Sequence, residues 1–384
     1  MIRVLVIGQG MVGTYFALGL ERLKSGEMKP YGVPLADLEL KYSPRDINLV
    51  ASIDVDARKV NRSVYQVARE VYGFERIPST LKHVKIYPGI ELGLMRDLNV
   101  PIISLDSELP LRDCVDKLCD YYSSFRPDVI LDLSTTQYAA PLQELSVLEE
   151  RIRSNRIEGL VPSQLYAYAA LKYAEGERTV AYVNLIPVPL ANSSAFVSAA
   201  KEVSSLILGD DAATGATPLT ADILEHLKER NRFVRSIVQL NIGGNMDFLS
   251  LLDRERNLAK EHTKSSIVSD ILGYEAPHYI RPTGYLKPLG DKKVVAIHIE
   301  YESFLGVTDE IFVNMRINDS PALAGYLIDL TRLAKLALER GFSGTIYEIN
   351  AFYMKHPGPP GSPNLSRILA YTRLLQFIER NLIA

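Results

Sequence analysis

The opening of the chain constrains its fold more than any other stretch. Ile2 to Ile7 is a short apolar run rich in β-branched residues. Gly8-Gln9-Gly10-Met11-Val12-Gly13 follows at once, and Thr14 to Leu23 then places Phe16, Leu20 and Leu23 on one helical face. Strand, glycine turn and helix in that order have a physical logic. The first glycine makes the tight turn, the second lets backbone approach a pyrophosphate, and the third lets the helix sit close to the strand. The helix N-terminus then favours the negative charge.

Such a turn calls for an acid at the end of the second strand, where it bonds the adenosine ribose. Ile47 to Ile53 reads as that strand and Asp54 ends it, with Asp56 as the fallback. Asp54 comes later than the usual spacing of about 20 residues. Gly26, Pro30, Gly32, Pro34 and Pro44 account for the extra length, because they mark residues 25–46 as a long surface excursion. The expected cofactor is NAD, since a carboxylate at Asp54 should repel the phosphate of NADP. Gly8, Gly10, Met11, Val12, Gly13 and Asp54 are its candidate binding residues.

Later segments extend the pattern. Arg126 to Leu133 and Val180 to Ile186 read as buried strands, the first ending in Ser134-Thr135-Thr136. Strands alternating with helical stretches indicate a doubly wound parallel sheet. The texture changes after about residue 235. Ser236 to Ile242 is strand-like and leads into Gly243-Gly244-Asn245. Val294 to Glu300 and Ile311 to Ile317 look like paired antiparallel strands, and a long apolar helix returns from Ala322 to Arg340, with Gly341 at its C′ position. The expectation is an α/β chain. Residues 1–235 and 325–384 form a discontinuous NAD-binding Rossmann-like domain, and residues 236–324 form an inserted α+β domain for catalysis and oligomerisation.

Composition excludes some classes. A formal charge of −3 over 384 residues argues against nucleic-acid binding, and no apolar run approaches a membrane span. The N-terminus lacks the pattern of a signal peptide, and the two cysteines, Cys114 and Cys119, form no disulfide framework. A cytoplasmic location is expected.

The middle of the chain carries lysines at rigid turns. Residues 253–266 are highly charged, which by itself describes a solvated helix face. Just before them, Asn241 to Asp247 form a polar turn whose adjacent glycines suggest close approach to a ligand or another chain. Lys287 stands in a turn fixed by Pro288 and Gly290, and Lys355 precedes Pro357 and Gly358. Lysines converging in this way suit a phosphorylated substrate, and clustered ammonium groups lower one another's pKa toward proton-transfer range. His262, His278, His298 and His356 share no ligand spacing. Asp247 and Asp319 are better candidates for a divalent cation, or else for orienting the lysines.

With these residues in place, the chain resembles myo-inositol-1-phosphate synthases, especially the shorter archaeal and bacterial type. The matching segments include VLVIGQGMVG, VASIDVDARKV, NIGGNMDFLSL, AKEHTKSSIVSDIL, YLKPLGDKK, RINDSPALAGYLIDL and AFYMKHPGP, in the expected order from residue 4 to about 360. The resemblance implies conversion of D-glucose 6-phosphate to 1D-myo-inositol 3-phosphate. The steps are NAD-dependent oxidation at carbon 5, enolisation, intramolecular aldol closure and re-reduction. It implies a homotetramer. It also implies that Lys260, Lys264, Lys287 and Lys355 are catalytic, that Asn245, Asp247 and Asp319 orient them or hold a cation, and that Ser134, Thr135, Asp210 and Asp211 line the nicotinamide and ribose. One departure follows Asp210. The family pattern has a Lys and a Ser where this chain has Ala212-Ala213-Thr214, so the backbone at Gly215 and Thr217 is expected to supply those contacts. An NAD-dependent dehydrogenase, or a cyclase acting on another sugar phosphate, is the alternative.

Overall fold

A computed structural model describes residues 1–95, 100–176, 178–253, 257–258 and 266–383. Six strands form a parallel sheet: β1 (Ile2–Ile7), β2 (Ile47–Asp54), β3 (Ile86–Pro88), β4 (Val129–Asp132), β5 (Ala181–Asn184) and β6 (Leu206–Leu208). Their order is β3-β2-β1-β4-β5-β6. This is the doubly wound arrangement of a Rossmann fold, with its switch point between β1 and β4, where ligands bind at the carboxyl ends of the strands.

The strands are apolar throughout because both faces are covered. On one face Ile2, Val4, Val6, Leu131 and Val183 pack against the helices Met11–Ser25, Asp319–Glu339, Tyr347–Tyr353 and Arg367–Ile378. On the other, Leu5, Ile7, Ile130 and Tyr182 meet the helices Leu111–Phe125 and Pro162–Gly176. The expected first helix is present, with Phe16 and Leu20 buried.

The excursion at 25–46 differs from the surface loop expected. Val33 and Leu35 are buried in the main core. Asp329 Oδ2 accepts from Leu35 N at 2.9 Å, and Arg332 Nη2 donates to Leu35 O at 2.9 Å. Arg332 also pairs with Asp329, and Tyr353 OH donates to Asp329 at 3.1 Å. Prolines and glycines set the turns of this segment, but its two inward apolar side chains decide where it lies. Gly32 also touches Gly325 so closely that a Cβ at residue 325 would strike Gly32 O.

The remaining strands, β7 (Phe233–Gly243), β8 (His278–Tyr285), β9 (Lys292–Glu302) and β10 (Thr308–Asn318), form a second sheet of order β10-β9-β7-β8. β9 and β10 pair antiparallel as expected, with Ile311 opposite Ile299. β8 runs parallel to β7. One face packs on the helix Thr217–Glu229 and on residues 266–272 through Leu224, Leu227, Ile267, Ile271, Ile297 and Ile299. The other face is open and exposes Val238, Leu240, Ile242, Tyr279, Val294 and Phe312. The helix Asp319–Glu339 then re-enters the parallel layer, and Gly341 after it takes φ +80°, the left-handed conformation expected of a C′ glycine. Among the described residues, no helix is long and apolar enough to cross a membrane.

The Asp329–Arg332 pair is a clear stability determinant, since both side chains are almost fully buried. Replacing Asp329 with Ala strands the Arg332 guanidinium in the core. The expected loss is about 3–5 kcal/mol by equilibrium denaturation, and a loss below about 1 kcal/mol, the worth of a surface pair, would contradict it.

Candidate functional site

The first glycine turn lies at the carboxyl edge of the sheet, beside the switch point. Gly8 has φ +87°, and a Cβ there would stand 2.5 Å from Leu133 O, so no other residue fits. Gly13 lies behind the turn, where a Cβ would crowd Gly8 O at 3.1 Å and Val6 at 3.3 Å. Gly10 faces open space. These are the three roles expected of the motif. In front of Gly10 and the N-terminus of Met11–Ser25 opens a cleft of about 600 Å³, lined by Gly8, Met11, Val12, Asp54, Ser134 and Thr135 among others. Its size suits a large ligand. A dinucleotide fits this site on the motif's own geometry: Gly10 leaves space for a pyrophosphate, and Asp54 ends β2 at the ribose end.

The far wall is held rigidly. Asp132, at the end of β4, is fully buried and accepts from Ser134 N and Oγ, Ser163 Oγ and Tyr182 OH. Gln137 Nε2 donates to Ser134 Oγ at 2.9 Å. These bonds tie down the loop after β4, and Thr136 carries it across to the second layer by donating to Asp247 Oδ1 at 2.6 Å. Asp247 lies in the first turn of the short helix Met246–Ser250. Asn245 caps that helix by accepting from Phe248 N at 3.1 Å.

A smaller cavity of about 150 Å³ adjoins the cleft and shares Val12, Leu133, Ser134, Asn245, Asp247 and Ser320 with it. Two ammonium groups reach this cavity. Lys355 is 6% exposed and donates to Asp211 Oδ1 at 3.0 Å; Lys293 is 7% exposed and pairs with Asp319 at 2.8 Å. Both cations are desolvated, and both have a carboxylate in contact, as buried charge requires. Gly215, at φ +73°, leaves the room that Lys293 occupies: a Cβ there would come 2.6 Å from Nζ.

Lys293 was not among the residues singled out from the sequence. A signal existed, because Val295, Ile297 and Ile299 alternate inward along β9 and the same phase points residue 293 inward. Lys287, which was singled out, is exposed in a 3₁₀ turn (Lys287–Leu289) and lines the larger cleft only. The adjacent glycines before Asn245 do serve a close approach, but to backbone of the same chain: a Cβ on Gly244 would strike Gly290 N and Leu286 O.

Asp211 joins the small cavity, whereas Asp210 lines neither. Asp210 accepts from the backbone N–H groups of Leu190, Ala191 and Asn192 and from the amides of Asn184 and Asn192. Burial raises its pKa while these donors oppose the rise, and it acts as the anchor of the 188–192 loop. Asp291, also not singled out, lines the cleft and accepts from Ser320. Burial raises its pKa against the pull of those bonds. Lys260, Lys264 and His262 lie outside the described residues. Among the described residues no group of three His, Cys, Asp or Glu side chains is placed to hold a metal ion.

Comparison with known proteins places this geometry. The family model for myo-inositol-1-phosphate synthase matches residues 215–320. A solved structure of a myo-inositol-1-phosphate synthase-related protein from Thermotoga maritima MSB8 is 49% identical. It superposes with a TM-score of 0.94, over 99% of this chain and 98% of that one. The inositol-3-phosphate synthase of Mycolicibacterium smegmatis is 27% identical over 98% of each chain. That of Caenorhabditis elegans, 18% identical with a TM-score of 0.82, covers 98% of this chain and 85% of that one, and shares the fold. The strand order, the glycine turn and these matches lead to one conclusion: the chain belongs to the myo-inositol-1-phosphate synthase family.

Proposed function

We propose that the protein converts D-glucose 6-phosphate to 1D-myo-inositol 3-phosphate in a redox-neutral cycle, with NAD as its resident cofactor. The observation that carries this reading is the pair of buried lysines, each braced by a carboxylate, in a cavity that shares a wall with the dinucleotide cleft. Simple alcohol oxidation calls for one proton acceptor beside the hydride path. Two braced cations answer to a reaction in which more than one oxygen becomes anionic. Ring closure is such a reaction: enolisation places charge on the carbon 5 oxygen, and aldol addition places it on the carbon 1 oxygen.

NAD, when bound, supplies the acceptor for the carbon 5 hydride and its later return. The chain does the rest. Lys355 handles the proton at the carbon 5 oxygen and then stabilises the enolate there. Lys293, rather than the exposed Lys287, stabilises the carbon 1 alkoxide formed on ring closure. Asp211 and Asp319 hold these ammonium groups in place, so no reorganisation is needed as charge develops. Because Asp319 carries Lys293 and Asp247 accepts from Thr136, the geometry favours orienting roles for these carboxylates over cation ligation. Val12, Leu133, Phe248, Leu251 and Leu323 line the cavity with apolar surface that excludes water. Lys260 and Lys264 remain candidates for the substrate phosphate and further proton transfer.

Residues 1–235 with 325–384 would then serve as the dinucleotide domain, and 236–324 as the catalytic insertion. A homotetramer in the cytoplasm is part of the same proposal, and the open face of the second sheet supports the self-association. A face carrying Val238, Leu240, Ile242 and Phe312 in the open is costly to leave wet.

Purified protein given glucose 6-phosphate and substoichiometric NAD should form inositol phosphate well in excess of NAD, with no NADH accumulating. Stoichiometric NADH without cyclised product would instead establish a dehydrogenase. Lys293→Ala and Lys355→Ala should each lower kcat by about 10²–10³-fold while NAD binding by fluorescence titration is retained. Gly215→Ala should act on the same parameter by displacing Lys293, and Lys287→Ala should cost less than any of them. In light scattering the protein should run as a tetramer, and Leu240→Glu should shift it to a smaller species; a monomeric wild type would exclude the assembly.

A further inference from the structure

The Asp319 carboxylate is not the only group that holds the Lys293 ammonium. Nζ also stands 5.5 Å from the centroid of the Phe248 ring, within the range over which an aromatic face attracts a cation. Phe248 is 4% exposed and lines the small cavity together with Lys293 and Asp319. Such an attraction strengthens as water is removed, and here both partners are buried.

The chain places the ring by local devices. Phe248 belongs to the short helix Met246–Ser250, and its N–H donates to the capping Asn245 Oδ1 at 3.1 Å. Gly243, the last residue of β7, lies directly opposite Lys293 of β9 in the antiparallel register. Residues so paired project side chains from the same face of the sheet. Gly243 has no side chain to project, and the ring takes up that space: a Cβ there would stand 2.3 Å from Phe248 Cδ2 and 2.4 Å from Cγ. A glycine inside a strand often marks a close approach, and at Gly243 the approaching group is the aromatic ring that touches the neighbouring lysine.

We propose that Phe248 is a positioning residue for ring closure: its ring holds the Lys293 ammonium in the cavity jointly with Asp319. The two holds differ in kind. An ammonium has three N–H donors, and Asp319 engages Nζ through Oδ2 at 2.8 Å and Oδ1 at 3.2 Å. A carboxylate thus competes for the donors that a developing alkoxide needs. A ring face attracts the charge through its quadrupole, so it steadies the cation and leaves donor capacity for the substrate oxygen. The inference rests on the reading of Lys293 as the cation at the carbon 1 oxygen.

The test replaces Phe248, in the full chain, with singly, triply and fully fluorinated phenylalanine. Fluorination keeps the ring close to its original shape while draining the negative charge from its face. The kcat for inositol phosphate formation should fall stepwise along the series, to a total loss of about two- to thirtyfold. NAD affinity by fluorescence titration should hold at the wild-type value. Phe248→Leu, which keeps apolar packing and removes the ring, should lose at least as much kcat as the fully fluorinated form. Gly243→Ala, which crowds the ring, should lower kcat as well. A flat kcat across the fluorinated series overturns the inference whether or not Phe248→Leu is impaired, because a ring needed only for packing is indifferent to its charge. Full activity in Lys293→Ala defeats the reading of Lys293 and this inference with it; an impaired Lys293→Ala beside a flat fluorinated series defeats this inference alone.

Discussion

The ion pair between Lys293 and Asp319 ties the two layers of the molecule together at the point where chemistry is proposed. Lys293 stands near the start of β9, in the second sheet. Asp319 is the first residue of the long helix that carries the chain back to the parallel sheet. Neither charge tolerates burial alone, so the pair fixes how β9 meets that helix. The small cavity is the space left beside it, and Gly215 has no side chain because the lysine already occupies that space.

A second link, also in the lining of that cavity, runs through hydrogen bonds. Asp132 locks the loop after β4, and Thr136 passes that order to Asp247. One wall of the cavity thus belongs to the nucleotide-binding layer and the other to the inserted sheet. An intramolecular redox cycle gains from this design. A hydride that leaves carbon 5 and returns to it needs the cofactor and the cations proposed for ring closure in one enclosure, because a substrate that left between steps would strand the reduced cofactor.

Legibility in the sequence followed the range of the interactions. Gly8, Gly10 and Gly13 were legible because each does a local task within one strand–turn–helix unit. The antiparallel pairing of β9 and β10 was legible for the same reason. Leu35 was hidden among turn residues, since its backbone partners Asp329 and Arg332 lie some 300 positions away in the chain and no local pattern announces them. Asp210 and Asp211 are neighbours in sequence with opposite fates, one turned into a cage of amide donors and the other onto Lys355. Nothing in the string of letters separates them. Lys287 was favoured over Lys293 because a Pro-Gly turn looks rigid, whereas the strand's inward phase was the better guide to which lysine is buried.

The charge stabilisation proposed for the cavity depends on ammonium groups that are already paired. Lys293 and Lys355 are each held by a carboxylate within about a hydrogen bond's reach, so the resting site is close to electrically balanced. Such balance lowers the cost of keeping ammonium groups dry before substrate arrives. It does not cancel their effect on the reaction, because a substrate oxygen that gains charge during enolisation or ring closure adds a second acceptor to a donor already in position. In water the same stabilisation requires solvent dipoles to reorient; in a walled cavity the donors are aligned in advance, and that alignment separates transition-state stabilisation from mere attraction to an anion.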